Sequence, residues 1–189
     1  MHPPVAFLDA SVLYPAGTRN LLMRMAVARL FHARWSADVH REWMSAVRRD
    51  YPDISEFRVR RIRDLMNRHA EGSQVTGYES LIPALELPDP DDRHVLAAAI
   101  ATRAAVIVTR NLRDFPAERL RAHGIAATHP DSFVLRFVFD RPEDLLVAAS
   151  EHRRSLRNPG MSADEYLALL ERQGLDRTAH ALRKHAHRL

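Results

Sequence analysis

Val5-Ala6-Phe7-Leu8-Asp9 and Ala105-Val106-Ile107-Val108-Thr109 decide the fold of this chain. Each is a short, unbroken apolar run closed by a polar residue, and neither alternates as a half-exposed strand would. Such runs suit strands buried on both faces of a parallel sheet, which requires helices as cover. Outward from the first run, the turn-like Tyr14-Pro15-Ala16-Gly17 precedes Thr18, expected to cap a helix bearing Leu22, Met25, Ala26 and Leu30. Ser36 caps a second helix with Asp38 in its first turn and the stripe Val39, Trp43, Ala46 and Val47, ended by Tyr51-Pro52. A third helix is expected from about Ser55 to His69, with Val59, Ile62 and Met66 inward. Outward from the second run, the acidic turn Leu87-Pro88-Asp89-Pro90-Asp91-Asp92 leads into a helix carrying Val95, Leu96, Ala99 and Ile100. The loop Arg110 to Pro116 delivers a short helix stopped at Gly124, then a weaker strand from Ile125 to Thr128.

This β-α-β alternation predicts an α/β fold: a three-layer domain with a central, mostly parallel sheet flanked by helices. From Asp131 onward only helical patterns occur, around Phe133 to Phe139, from Pro142 to Leu156, after the capping box Ser162-x-x-Glu165, and from Asp176. Asn158-Pro159-Gly160 reads as a turn between them. The expected organisation is a domain over 1–130 and a C-terminal helical extension over 131–189. The stripe Tyr166, Leu169, Leu170 implies that the extension docks rather than trails.

Composition narrows the chemistry. The 189 residues suit one sizeable core plus an extension, and two full-sized domains are not expected. A net charge of +4 permits a polyanionic partner without requiring one. Zero cysteines exclude disulfides, thiolate zinc sites and a cysteine nucleophile, and fit a reducing cytoplasm. No apolar stretch approaches the ~18 residues of a membrane span. Met1-His2-Pro3-Pro4 has no basic region, and the run after it is too short for a signal core. The expectation is a soluble cytoplasmic protein without a membrane partner. Neither GxGxxG nor GxxxxGK[ST] is present, which argues against nucleotide cofactors.

The carboxylates carry the functional signal. Asp9, Asn111 and Asp114 follow strands, and the carboxyl ends of strands are where open α/β sheets place their ligand crevice. Asp92 opens a helix, and Glu42 lies at the edge of an inward stripe beside Trp43. No lysine or arginine is spaced to neutralise all of them. Isolated buried carboxylates are costly, so a hard divalent cation, Mg²⁺ or Mn²⁺, is the economical solution. Each of these residues except Asp9, which has little structural reason to end an apolar strand, also has an ordinary reading. Asp89 and Asp92 suit helix caps, Glu42 a solvated flank, Asp114 a cap near Pro116, and Asn111 a loop turn.

Four stretches in order resemble the successive motifs of PIN-domain nucleases, especially the VapC-like toxin ribonucleases. They are Phe7 to Leu13, Trp35-Ser36 with Glu42-Trp43, Leu87 to Ala99, and Val106 to Phe115. The resemblance covers about Val5 to Thr128. It implies Asp9, Glu42, Asp92 and Asp114 as the acidic catalytic quartet, with Asp9, Asp92 and Asp114 on the metal. Ser11 matches a small polar position, and Asn111 stands where many relatives carry aspartate. Asp89 and Asp91 lie near enough to Asp92 to compete for its place, and the register of Val95 to Ala99 favours Asp92. The implied activity is metal-dependent endoribonucleolytic hydrolysis of RNA, the implied partner a small antitoxin, and a homodimer is an open arrangement. A cation held by Asp9 and Asp92, with Glu42 and Asp114 direct or through water, would acidify a water and neutralise the scissile phosphate.

Rival readings remain. A haloacid-dehalogenase-like phosphatase would need an acid two residues after Asp9, where Ser11 stands. A non-catalytic PIN-like binding module would not need an intact quartet. Histidine acid-base catalysis requires convergence, yet the 11 histidines scatter and only His94 adjoins the acidic motif. Between Arg48 and Arg68 there are seven arginines against four carboxylates. Arg60 and Arg61 are therefore candidates for contacting phosphates, the ordinary reading being a solvated helix face or one covered by a partner.

Overall fold

Val5–Leu8 forms β1, and its three innermost side chains, Ala6, Phe7 and Leu8, are fully buried. The computed structural model describes residues 3–156 and 160–189. After β1 come α1 (Ala10–Leu13), α2 (Ala16–Val27), β2 (His32–Ser36), α3 (Ala37–Asp50), α4 (Glu56–His69) and β3 (Gln74–Val75). Then follow α5 (Arg93–Ala101), β4 (Val106–Val108), α6 (Ala117–Leu120), β5 (Ala126–Thr128), α7 (Pro130–Asp140), α8 (Pro142–Ser155), α9 (Ala163–Arg172) and α10 (Asp176–Arg183). The sheet order is β3-β2-β1-β4-β5 and every pairing is parallel. The continuous burial of β1 and β4 follows from this, because a parallel sheet buries both faces.

Local chemistry sets most boundaries. The Ser36 hydroxyl accepts from Val39 N at 3.2 Å and starts α3, and the Ser55 hydroxyl accepts from Arg58 N at 3.3 Å and starts α4. Gly124, at φ 66°, ends the 3-10 turn after α6 in the left-handed region that suits glycine. The capping box at the start of α9 is complete: Ser162 N donates to Glu165 at 2.8 Å, and Glu165 N donates back to the Ser162 hydroxyl at 3.3 Å.

Several expectations are corrected. Thr18 does not cap α2, whose N-cap is Pro15. Thr18 is instead fully buried inside the helix, and its hydroxyl accepts from Arg110 Nη2 at 3.1 Å. Leu30 lies beyond the helix but in the core. The strands β2 and β3 were not expected: β2 carries His32 and Arg34 among its five residues, and β3 is only two residues long. Of the turn expected at Asn158-Pro159-Gly160, the first two positions lie outside the described residues.

The extension shares the core of the sheet domain. Phe133 and Phe137 of α7 pack on Phe31, which precedes β2, with the Phe133 and Phe31 rings edge to face at 4.9 Å. The buried Asp131 carboxylate accepts from Thr178 N at 2.9 Å and Arg177 N at 3.1 Å, so a side chain from α7 satisfies the free amides that open α10. Truncating Phe133 removes an aromatic from this contact. Phe133→Ala is expected to lower unfolding stability by about 3–5 kcal/mol in urea titrations. A loss below about 1 kcal/mol would mean that the extension packs too loosely to stabilise the sheet domain.

Candidate active site

The chain leaves β1 towards β2 and β3, then returns to lay β4 and β5 on the other side of β1. The order therefore reverses between β1 and β4, and the crevice beyond their carboxyl ends is where open α/β sheets bind ligands. Asp9 follows β1 and Thr109 follows β4. Asp9 is only 6% exposed, and its Oδ1 accepts from Ala10 N at 2.7 Å. Its Oδ2 accepts from the Ser11 hydroxyl at 2.6 Å and from the Thr109 hydroxyl at 2.7 Å. Ser11 Oγ accepts from Arg110 N at 3.0 Å, and Thr109 Oγ1 accepts from Asn111 N at 3.0 Å. The two strand ends are thus joined through one carboxylate.

Asp92 stands where helix α5 begins, but its side chain makes no capping hydrogen bond. The ordinary explanation for an aspartate at that place is therefore absent. Burial first, and then the charges of Asp9, Asp114, Asp89 and Glu42, push its carboxyl from 3.8 up to about 7. All of these causes act in the same direction. Asp89 caps the 3-10 turn Pro90–Asp92 by accepting from Asp91 N at 2.9 Å. Asp91 is exposed and does not figure among the charges acting on Asp92.

Glu42 is partly exposed on α3, and its Oε1 lies 2.7 Å from Nε2 of His94 on α5. Burial works to lower the His94 pKa, but the Glu42 hydrogen bond and the charges of Glu42, Asp38 and Asp92 outweigh it, leaving the value raised. The Asp38 carboxyl, bonded by the Tyr78 hydroxyl at 2.5 Å, is held below its ordinary value by that bond. Asp114 does not cap α6, whose N-cap is Pro116; it accepts from the Asn111 side-chain amide within the loop. Asp9, Glu42, Asp89, Asp92 and Asp114 therefore share one electrostatic neighbourhood, with Ser11 and Asn111 bonded to members of it. Arg60 belongs to a different surface, on α4, where it pairs with Glu56 at 2.5 Å. Arg61 is exposed on that helix.

Among the described residues, no three histidine or carboxylate side chains already close around a common point as a preformed metal cage would. The donor chemistry nevertheless fits a hard divalent cation: the ligands are oxygens, and the proton tightly held on Asp92 marks negative charge left without compensation. Three participants were not singled out as site residues from sequence. Thr109 was legible in principle, since it closes the β4 run as Asp9 closes β1. His94 had only its adjacency to Asp92. Arg110 had no signal, because its contacts come from a distant part of the chain.

The PIN domain family matches residues 6–113, more than half of the chain. The chain belongs to the PIN-domain family. Residues 130–184 match a second family, described as the VapC50 C-terminal domain. A Mycobacterium tuberculosis (strain ATCC 25618 / H37Rv) protein named "Putative ribonuclease VapC50" is 52% identical over 59 residues. That match spans 31% of this chain and 34% of the relative, about a third of each. No solved structure matches. Among the described residues, no helix is long and apolar enough to cross a membrane.

In this PIN domain the crowding of Asp92 makes a test independent of activity. Its proton is held more tightly in the folded than in the unfolded state, so stability is full near pH 3.8 and is lost as pH rises through about 7. Asp92→Asn abolishes that loss. Without metal, the variant is expected to match the wild type near pH 4 and to exceed it by about 1–2 kcal/mol at pH 8, after allowance for solvent screening. Thermal melts in EDTA at the two pH values read this as a gap of roughly 2–8 °C at pH 8 only. A variant less stable than wild type at pH 8 would show that the carboxylates do not repel one another.

Proposed function

We propose that this chain is a divalent-metal-dependent endoribonuclease that hydrolyses RNA phosphodiester bonds and serves as the toxin of a toxin-antitoxin pair. The observation that carries the reading is Asp92, half-buried at the strand crossover, with its carboxyl pushed up by burial and by the charges of four other carboxylates. The ordinary explanations, a cap or an ion pair, are missing there among the described residues. The match of residues 6–113 to the PIN domain and the name carried by the mycobacterial relative support it.

In this reading Asp9, Asp92 and Asp114 hold the cation, and Glu42 completes the catalytic quartet directly or through water. When bound, Mg²⁺ or Mn²⁺ supplies charge neutralisation for the scissile phosphate and acidity for a nucleophilic water. The chain's own residues prepare the place. The Ser11 and Thr109 hydroxyls and Ala10 N fix the direction of the Asp9 carboxylate. Asn111 holds Asp114, Asp89 rigidifies the turn that carries Asp92, and His94 holds Glu42. Asp92 must give up its proton for the site to be loaded, so loading strengthens as pH rises through about 7.

The remaining parts follow from the same reading. The substrate is RNA, the protein partner a small antitoxin, the compartment the cytoplasm, and a homodimer is compatible with it. Residues 1–130 form the nuclease domain and 131–189 its helical extension. Arg60 and Arg61 neutralise RNA phosphates, since an acidic site repels RNA and basic surface must offset that.

Asp9→Asn and Asp92→Asn are each expected to lower Mg²⁺- or Mn²⁺-dependent cleavage of RNA by at least roughly 100-fold, beyond what loss of a supporting residue costs. Cleavage at the wild-type rate by both purified variants would sink the nuclease reading. The Arg60→Ala, Arg61→Ala double variant should weaken RNA binding alike across sequences. It should also shallow the salt dependence by a log-log slope of about 0.7 per lost phosphate contact. An unchanged slope would leave that helix face to a protein partner or to solvent.

A further inference from the structure

A cleft of about 730 Å³ opens beside the acidic residues, and its two walls come from opposite ends of the chain. One wall carries Ser11, Tyr14, Glu42 and Ala46. The other is the turn joining α9 to α10, including Arg172 and Gln173. The volume lies within the ~300–1,000 Å³ of sites that enclose small ligands. The turn is not placed there loosely. Arg110 Nη2 donates to the Gln173 carbonyl at 2.5 Å and to Thr18 Oγ1 at 3.1 Å, and Thr18 N donates to Gln173 Oε1 at 3.3 Å. Arg110 N also donates to the Ser11 hydroxyl that holds Asp9. A connected path of hydrogen bonds therefore runs from the extension to the carboxylate at the crossover.

The charges of the cleft are graded. Glu42 stands on the acidic side, paired with His94 at 2.7 Å. On the far wall Glu171 is paired with Arg183 at 2.7 Å, whereas Arg172 is exposed and makes no ion pair among the described residues. Arg110, buried enough for its pKa to be lowered, has hydroxyl and carbonyl partners and no carboxylate partner. Two guanidinium groups therefore face a space whose floor is largely apolar.

We propose that this cleft is a substrate subsite: the helical extension supplies the wall that receives a single-stranded RNA nucleotide flanking the scissile phosphate, with Arg172 contacting its backbone. The inference rests on the nuclease reading and adds to it the part of the chain that selects and holds the substrate. An apolar floor accepts a base face, and a free guanidinium on the rim accepts a phosphate. Arg110 acts as a positioning residue, fixing the turn against the strand end.

Binding is measured by fluorescence anisotropy of a labelled single-stranded RNA oligonucleotide in EDTA, where cleavage does not occur. Arg172→Glu reverses the charge at the rim, and Ala46→Trp fills the cleft. Arg121→Glu, exposed in the 3-10 turn between α6 and the edge strand β5 and not part of the cleft lining, is the control for general electrostatics. Arg172→Glu and Ala46→Trp are each expected to weaken binding at least five-fold, and Arg121→Glu less than two-fold, with melting temperatures retained. Unchanged binding in Arg172→Glu overturns the proposal even if Ala46→Trp does not fold. Equal losses in Arg172→Glu and Arg121→Glu overturn it as well, as does absence of binding by the wild type. Cleavage with Mg²⁺ or Mn²⁺ is scored separately: a wild type that binds through the cleft but never cuts overturns the nuclease reading and leaves the subsite standing. One that cuts with unaltered rates in both cleft variants does the reverse.

Discussion

The bond between the Asp9 carboxylate and the Thr109 hydroxyl, 2.7 Å long and buried, holds the two halves of this molecule at the point where the chain changes direction across the sheet. A parallel sheet that grows both ways from its centre leaves a gap beyond the strand ends, since the helices following β1 and β4 depart to different sides. Something polar must stand there to satisfy the amides that begin the following turns. Asp9, Ser11 and Thr109 do so together: each accepts or donates across the gap, and the backbone amides of Ala10, Arg110 and Asn111 find partners among them. The carboxylate is thus a structural necessity and a chemical group at once.

That arrangement brings a conflict. The same crossover draws Asp92 and Asp114 towards Asp9, with Glu42 and Asp89 adding to the negative field, and Asp92 answers by holding its proton to about pH 7. A fold optimised for stability alone would replace one of these carboxylates, because burying like charges together costs more than packing apolar groups in their place. The rest of the molecule offsets the cost. An unbroken core runs from the sheet through α7 to the C-terminal helices, with Phe31, Phe133 and Tyr166 buried. Like charges crowded in one place and surplus packing elsewhere is the division expected where a local rule is broken for function.

The sequence was legible where local chemistry and tertiary structure agree. The β1 and β4 runs, the caps at Ser36 and Ser55, the box at Ser162 and the left-handed Gly124 all obey rules that involve a few neighbouring residues. The reading failed where a distant partner decides. Thr18 has the composition of a cap, but Arg110 and Gln173 draw it into the interior of α2. The strand His32–Ser36 is recognised by its place beside β1, since its polar residues break any apolar run. Gln74–Val75 is too short to carry a period at all. For Asp92, the local sequence favoured an ordinary cap, whereas the structure shows no capping bond and sets the charges of four carboxylates around it, which only the tertiary fold brings together.

The extension illustrates the same principle at larger scale. Its helices have periodic stripes and a complete capping box, so its order was readable, but nothing in that pattern says which face of the domain it covers. The answer lies in two polar contacts made by residues with little local significance. Asp131, near the start of α7, satisfies the first amides of α10, and Arg110, one residue past the β4 run, grips the turn just before it. Both contacts are made at the N-terminal side of α10 and hold the turn beside the carboxyl edge of the sheet. An appendage that served stability alone could cover any apolar face. This one is fastened by a guanidinium whose own backbone amide bonds to the serine that orients Asp9. Its position is therefore fixed at the carboxyl edge of the sheet as well as through the shared core.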